Sequence, residues 1–311
     1  MTKRKRKNRG VVLIFVLVFT MAICALVIFF HGKASEYTDV FSGARETLLL
    51  ENAAEAGIEI AKSIVNAGTT AAGVISEESP SLKQKEYQLG EFQLYLKIAD
   101  ENAKINPNSI FGAEKGKVNT LALETFNRLF TVLGCPETMP ASILDWIDED
   151  DLQRPGGAES FYYKTAGLPY VPPDRNMYSA EEMLMVRDFT PDAVFGDPEN
   201  ETKGLINFIT SFSDGKINVN TCEPEVLASL GFPAESVDKI TAERQRRPIE
   251  ERFMTGVNRE VFLKNRSIIV FKSNYFLLDS TAVDSRGMKR QVRAYVKRKD
   301  KEMNTVRMEV R

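Results

Sequence analysis

The sequence predicts an α+β protein: a long N-terminal helix packed on a small antiparallel sheet, with a large all-helical insert splitting that sheet. Three patterns predict it. An apolar run, Val11 to Phe30, leads into a stretch with helical periodicity. Strand-like alternation occurs once near residues 92–98 and returns only after residue 275. The residues between, from about 105 to 265, lack sustained alternation and show short helical stretches instead.

The first element is fixed by length and charge. Val11 to Phe30 contains Thr20 as its one clearly polar residue. As a helix the run spans ~30 Å, about the thickness of a bilayer's hydrocarbon core. Lys3, Arg4, Lys5, Arg6, Lys7 and Arg9 precede it, so this flank is expected in the cytoplasm and the bulk of the chain outside. A secretory signal would have a shorter core and a small-residue cleavage site, whereas His31-Gly32-Lys33 follows here. Two readings remain: a plain signal anchor, or a class III prepilin leader cut between Gly10 and Val11 at the cytoplasmic face. Against the second stands Phe15, at the fifth position after the cut, where such proteins usually carry Glu.

Beyond the run the helix is expected to continue. Leu50, Ala54, Gly57, Ala61 and Ile64 recur at spacings of three and four, forming one apolar stripe that ends at Gly68 to Gly73. Ser76 to Lys85 is polar and reads as a loop. Phe92, Leu94, Leu96 and Ile98 alternate with polar neighbours as a half-buried strand. Tyr275 to Val283, then the turn Asp284 to Gly287, then Val292, Ala294 and Val296, and finally Val306, Met308 and Val310, complete a sheet with a basic exposed face. Helical stretches are expected at Leu121 to Leu133, Ala141 to Ile147, Ala180 to Val186, Pro224 to Leu230 and Ser236 to Arg244, with Asn119 and Thr221 as N-caps.

Composition narrows the function. Hydrophobic residues make up 43 % and charged ones 27 %, which describes a globular body rather than a disordered one. Without the six leader cations the net charge falls from −2 to −8; the segment from Arg286 onward carries +7, which leaves −15 on residues 11–285. Such an acidic body argues against nucleic acid as a partner, and an acidic body with a basic end favours contacts between subunits. The single His, His31, lies beside the membrane run, which excludes triad catalysis and His-based zinc sites in the globular part. No catalytic site is expected. Of three Cys, Cys24 lies in the apolar run, and Cys135 and Cys222 are candidates to pair in an oxidising periplasm.

Three motifs stand out in the insert. Lys-Ile-Asn-x-Asn occurs at Lys104 to Asn108 and again at Lys216 to Asn220, each before a helical stretch, which implies two similar subdomains with Asn side chains bonding turn backbone. The second copy runs into Cys222 to Arg246, which resembles a helix-hairpin-helix, a module that often grips DNA phosphates. Here Gly231 is present, but Ala234 or Glu235 stands where a second Gly is expected, and Glu223, Glu225 and Glu235 surround it; packing against protein is the better reading. The third motif is acidic. Asp145, Asp148, Glu149, Asp150, Asp151 and Glu159 place six carboxylates within fifteen residues of a turn-rich segment. That density suits Ca²⁺, although the spacing is not that of an EF-hand and a solvated acidic loop remains the alternative.

Together these motifs resemble the protein K family of type II secretion systems, the minor pseudopilin K. The resemblance rests on Arg9-Gly10-Val11, Glu55 to Glu59, Asp100 to Asn108, Leu144 to Asp148 with Gly156 to Glu159, Ser179 to Arg187 with Thr190-Pro191, and Gly215 to Thr221. Pro107 and Cys222 depart from the family's usual residues. The resemblance implies a prepilin leader at 1–10, a transmembrane helix at 11–30, the extended pseudopilin helix and first strand at 31–100, a SAM-like or helix-hairpin-helix-like insert at 101–265, and the remaining pseudopilin strands at 266–311.

It further implies processing between Gly10 and Val11 by a prepilin peptidase, methylation at Val11, and residence in the inner membrane with the bulk of the chain periplasmic. Expected partners are pseudopilins I and J and the inner-membrane secretion platform, with calcium as the expected ion. The role implied is to cap and help initiate the pseudopilus that exports folded proteins across the outer membrane. The family also lacks the fifth-position Glu, so Phe15 becomes a marker of the tip position. That carboxylate is taken to neutralise the N-terminal amine of the subunit ahead; a tip subunit has none ahead, and an unpaired buried charge is costly. A minor pilin of a type IV pilus and a membrane-anchored periplasmic DNA-binding protein are the alternative readings.

Overall fold

A computed structural model describes residues 9–68, 85–111, 117–197, 199–200, 202–299 and 302–311. The leader residues Lys3 to Lys7 and the loop expected at Ser76 to Lys85, apart from Lys85 itself, lie outside them. Helix α1 (Arg9–Gly68) carries the apolar run and the amphipathic stripe as one continuous element of 60 residues. It is also the one described helix long and apolar enough to cross a membrane, and its apolar window is unburied.

The sheet has five antiparallel strands in chain order: β1 (Lys85–Leu89), β2 (Phe92–Asp100), β3 (Tyr275–Val283), β4 (Lys289–Lys299) and β5 (Glu302–Val310). β1 was not foreseen; Lys85 to Leu89 buries little, so it shows no clear alternation. α1 lies across one face. Leu50, Ala53, Ala54, Ile58, Ala61 and Val65 meet Leu94, Leu96, Ile98, Phe276, Leu278, Val292, Ala294 and Val296 in one buried cluster. Gly57 sets how closely they approach, because a Cβ there would run into the Ser280 hydroxyl and lie 2.9 Å from Leu96 Cδ2.

The alternation on β5 has a different outcome from that expected. Val306, Met308 and Val310 are 60 %, 42 % and 49 % exposed. β5 is the edge strand, α1 barely reaches it, and the register shifts between Tyr295 and Val296.

The insert leaves the sheet after Asp100 and returns at Tyr275, so it extends through residues 266–274. It holds α2 (Thr120–Val132), α3 (Thr138–Ile147), α4 (Ser160–Thr165), α5 (Pro191–Phe195), α6 (Pro224–Ser229), α7 (Ala234–Arg244), α8 (Glu251–Val257) and α9 (Arg259–Asn265). Ala180–Met185 is a 3₁₀ helix. Its hydrophobic core is a second cluster, separate from the first and centred on Phe126, Phe130, Trp146, Tyr163, Phe208 and Phe262. Asn119 caps α2 by accepting from the Ala122 N–H. Thr221 caps nothing: α6 begins at Pro224 behind Glu223, and the Thr221 hydroxyl donates to Asp100 instead.

The two Lys-Ile-Asn-x-Asn loops form equivalent joints. Ile105 bridges Ile209 in parallel, and Ile217 bridges Ile269 in parallel. Asn106 Oδ1 accepts from the Asn108 N–H, and Asn218 Oδ1 accepts from the Asn220 N–H. Asn108 clamps the Met177 backbone and donates to the Ser211 carbonyl. Asn220 does the same with the Ile249 backbone and the Phe271 carbonyl. Residues 208–213 and 268–273 thus serve as matching partner segments, and the insert is two copies of one design.

Candidate metal centre

The acidic motif divides in the structure. Asp145, Asp148 and Glu159 converge: one oxygen from each lies within 4.8 Å of the others. All three are nearly sealed, at 0 %, 6 % and 3 % exposure. Asp145 sits in the last turn of α3, Asp148 follows with extended backbone that turns it inward, and Glu159 precedes α4, also extended. Glu149, Asp150 and Asp151 do not join them. They lie on the exposed bend after α3, where Asp150 accepts from the Leu152 N–H. The expected six-carboxylate set is therefore corrected to three, because the end of the helix points the next residues outward.

The cluster has a member that sequence reasoning missed. Arg154 donates its backbone N–H and its Nη1 to Asp145, at 3.2 Å and 2.7 Å, and Nη1 also pairs with Asp148. Asp148 Oδ1 and both Glu159 oxygens are buried without a hydrogen-bond partner. Burial pushes Glu159 up to about 8, with help from Asp145, Asp148, Asp174 and Asp151. Burial also raises Asp148, against the Arg154 ion pair. Asp174, brought near by the chain beyond α4 and held at φ 51°, was not foreseen either. Buried carboxylates that face one another, with orphaned oxygens, form a donor set that fits a hard cation such as Ca²⁺.

Gly157 keeps the centre tight. It has no room for a Cβ, which would strike the Asp145 carboxylate. Its carbonyl accepts from Gln153 Nε2 at 2.7 Å and from Arg187 Nη1 at 3.0 Å. The single Trp, Trp146, packs in the core of this subdomain against Tyr163 and Tyr170.

The other sequence-predicted positions are spread apart. Gly10 is the second residue of α1; Val11 and Phe15 are 53 % and 72 % exposed on it. Cys135 and Cys222 are free, so the pairing considered for them is not formed. Cys135 follows α2 in the first subdomain, while Cys222 is fully buried in the second with its thiol pushed up to about 12 by that burial. At the hairpin resembling a DNA-binding module, Arg128 lies against Gly231, donates to the Ser229 carbonyl and pairs with Glu124.

A buried polar hub joins the two cores. Asp100, at the end of β2, accepts from the Ser273 hydroxyl, the Thr221 hydroxyl and the Asn102 N–H. Burial pushes it up to about 6 despite these bonds.

Helix, sheet and insert define a fold class: a long N-terminal helix with an apolar first half, laid on an antiparallel sheet that carries a helical domain between two of its strands. Residues 103–195 match the family model of type II secretion system (T2SS) protein K. A curated relative, type II secretion system protein K of Klebsiella pneumoniae, is 24 % identical over 182 residues, covering 55 % of this chain and 52 % of the relative. The chain thus spans about half the length of that relative. In fold it is similar to a chain in the crystal structure of the GspK-GspI-GspJ complex from the enterotoxigenic Escherichia coli type 2 secretion system. The TM-score is 0.65 at 18 % identity, with 86 % of this chain and 98 % of that chain covered. Over residues 103–195 the chain is thus similar to protein K of type II secretion systems, and its fold is similar to that of a chain in the GspK-GspI-GspJ complex.

Proposed function

We propose that this protein caps the periplasmic pseudopilus of a type II secretion system and helps to start its assembly, together with pseudopilins I and J. The observation that carries this reading is where the insert sits. Glu46, on the membrane side of the docked part of α1, pairs with Arg286 in the β3–β4 turn. The insert joins at Asp100 and Ser273, the opposite end of the same strands. The helical domain therefore stands on the end of the sheet away from the membrane segment, where it blocks a further subunit from stacking above. Phe15 in place of Glu agrees with a subunit that has no N-terminal amine ahead of it to neutralise. The relative in the GspK-GspI-GspJ complex supports I and J as the partners.

In this reading a prepilin peptidase cuts after Gly10, Val11 is methylated, and the bulk of the chain is periplasmic and meets the inner-membrane platform through α1. Asp145, Asp148 and Glu159 hold Ca²⁺, which would tie α3 to α4 by engaging Glu159 and the Asp148 Oδ1, whose oxygens are otherwise without a partner. Mass spectrometry of the mature chain tests the processing: the expected N-terminus is methylated Val11, and an intact leader in cells with a prepilin peptidase overturns it. Co-purification tests the tip: I and J should be recovered with the full chain, and Val11 should crosslink to the neighbour below but to none above. For the ion, Ca²⁺ should raise the melting temperature of the wild type but not of Asp148→Asn or Glu159→Gln; an undiminished shift in both variants removes calcium from this centre.

A further inference from the structure

We propose that Arg154 is a built-in counter-cation of the acidic centre, which competes with the metal ion for Asp145 and Asp148 and keeps binding reversible. The proposal rests on the calcium reading above and adds a regulator to it. The guanidinium holds one oxygen of each of two carboxylates, Asp145 Oδ1 and Asp148 Oδ2. The oxygens left without partners are Asp148 Oδ1 and the two of Glu159. Calcium takes roughly six to eight oxygen ligands, so three fall short, and two further carboxylate oxygens of the same cluster are held by Arg154. An ion entering the gap must break those pairs or sit against a like charge at contact distance, and either lowers affinity.

The arginine is placed to yield. Its side chain is 32 % exposed while those of Asp145 and Asp148 are 0 % and 7 % exposed, so it enters from the surface and can leave the same way. The Phe111 ring, 5.6 Å from the guanidinium carbon, offers a face beside that route. The backbone N–H of Arg154 also bonds Asp145, so the loop keeps an anchor when the side chain withdraws or is replaced.

Calorimetric titration of the full chain in detergent with Ca²⁺, after stripping with a chelator, tests this, with Trp146 fluorescence as a second readout. Arg154→Gln should lower Kd roughly tenfold or more. Arg154→Lys, which keeps the charge, should stay within about threefold of wild type, and this second variant carries the test if the Gln variant fails to fold. A Gln variant that binds with unchanged or weaker affinity, or a Lys variant that tightens as much as the Gln variant, overturns the role of Arg154 while leaving the calcium site standing. Absence of binding in wild type and both variants removes the calcium site and this inference with it. Binding by Arg154→Gln alone supports both.

Discussion

Asn108 and Asn220 make matching clamps in the two subdomains, yet Asn220 is sealed at 0 % exposure and Asn108 is half-buried. The distance along the chain differs too. Asn220 reaches a backbone 29 residues on, whereas Asn108 reaches one 69 residues on, across the segment that carries the acidic centre. The same joint thus closes a compact unit in one copy and a long excursion in the other. The second copy draws its order from buried hydrogen bonds that need no ion. The first leaves buried carboxylate oxygens unsatisfied, and in the proposed calcium reading it would gain from a cation. Stability in the two should respond to different changes.

The largest expected effect is in the second copy. Asn220→Ala strips the Ile249 N–H and two carbonyls of their partner in a dry site, and should cost about 4 kcal/mol in denaturant unfolding. Asn108→Ala should cost about half as much, because water can replace some of the lost bonds. Equal losses would break the comparison. Next is the sheet core: Gly57→Val should cost about 3 kcal/mol by forcing α1 off β2 and β3, with the insert's own structure retained by circular dichroism.

The hub between the cores gives a pH signature. Asp100 is raised from its ordinary 3.8 to about 6, so the folded state holds the proton more tightly than the unfolded one. The stabilising contribution is full below 3.8 and is lost as pH rises through about 6, on the order of 2 to 3 kcal/mol. Asp100→Asn should flatten the melting temperature across that window; an unchanged slope would assign it to other groups. The smallest effect is at the surface, where Glu46→Ala should shift stability by less than about 0.5 kcal/mol, because the pair with Arg286 is exposed.

Legibility followed period. α1's stripe and the strands at Phe92 and Tyr275 were readable because helix-on-sheet packing imposes spacings of 3.6 and 2 on one face at a time. α2, α3, α6 and α7 were readable from short apolar runs and punctuation. α4, α5, α8 and α9 went unread; like α6 they are no more than seven residues long, which leaves a period little room to declare itself. β1 and the exposure of β5 follow from their place at the sheet's edges, which no local pattern encodes. At the acidic centre the residue type was legible and the selection was not. Arg154 and Asp174 were hidden because nothing in an Arg or Asp codon says that it faces a neighbour's carboxylate. The repeated Lys-Ile-Asn-x-Asn announced the duplication, but not its partner segments, which share little beyond Ile209 with Ile269 and Ser213 with Ser273.

By itself the sequence determined the apolar run with its basic flank, the α+β division, the duplicated Asn loops and an excess of carboxylates after α3, since each is written in contiguous residues. Tertiary structure alone decided which three carboxylates meet, that an arginine meets them, that Cys135 and Cys222 stay free, and that the insert stands on the end of the sheet away from the apolar half of α1. Those outcomes depend on where α3 ends, how the chain turns at Asp148 and Glu159, and which end of β2 the insert leaves. They are fixed by packing between residues far apart in the chain, which no local spacing records.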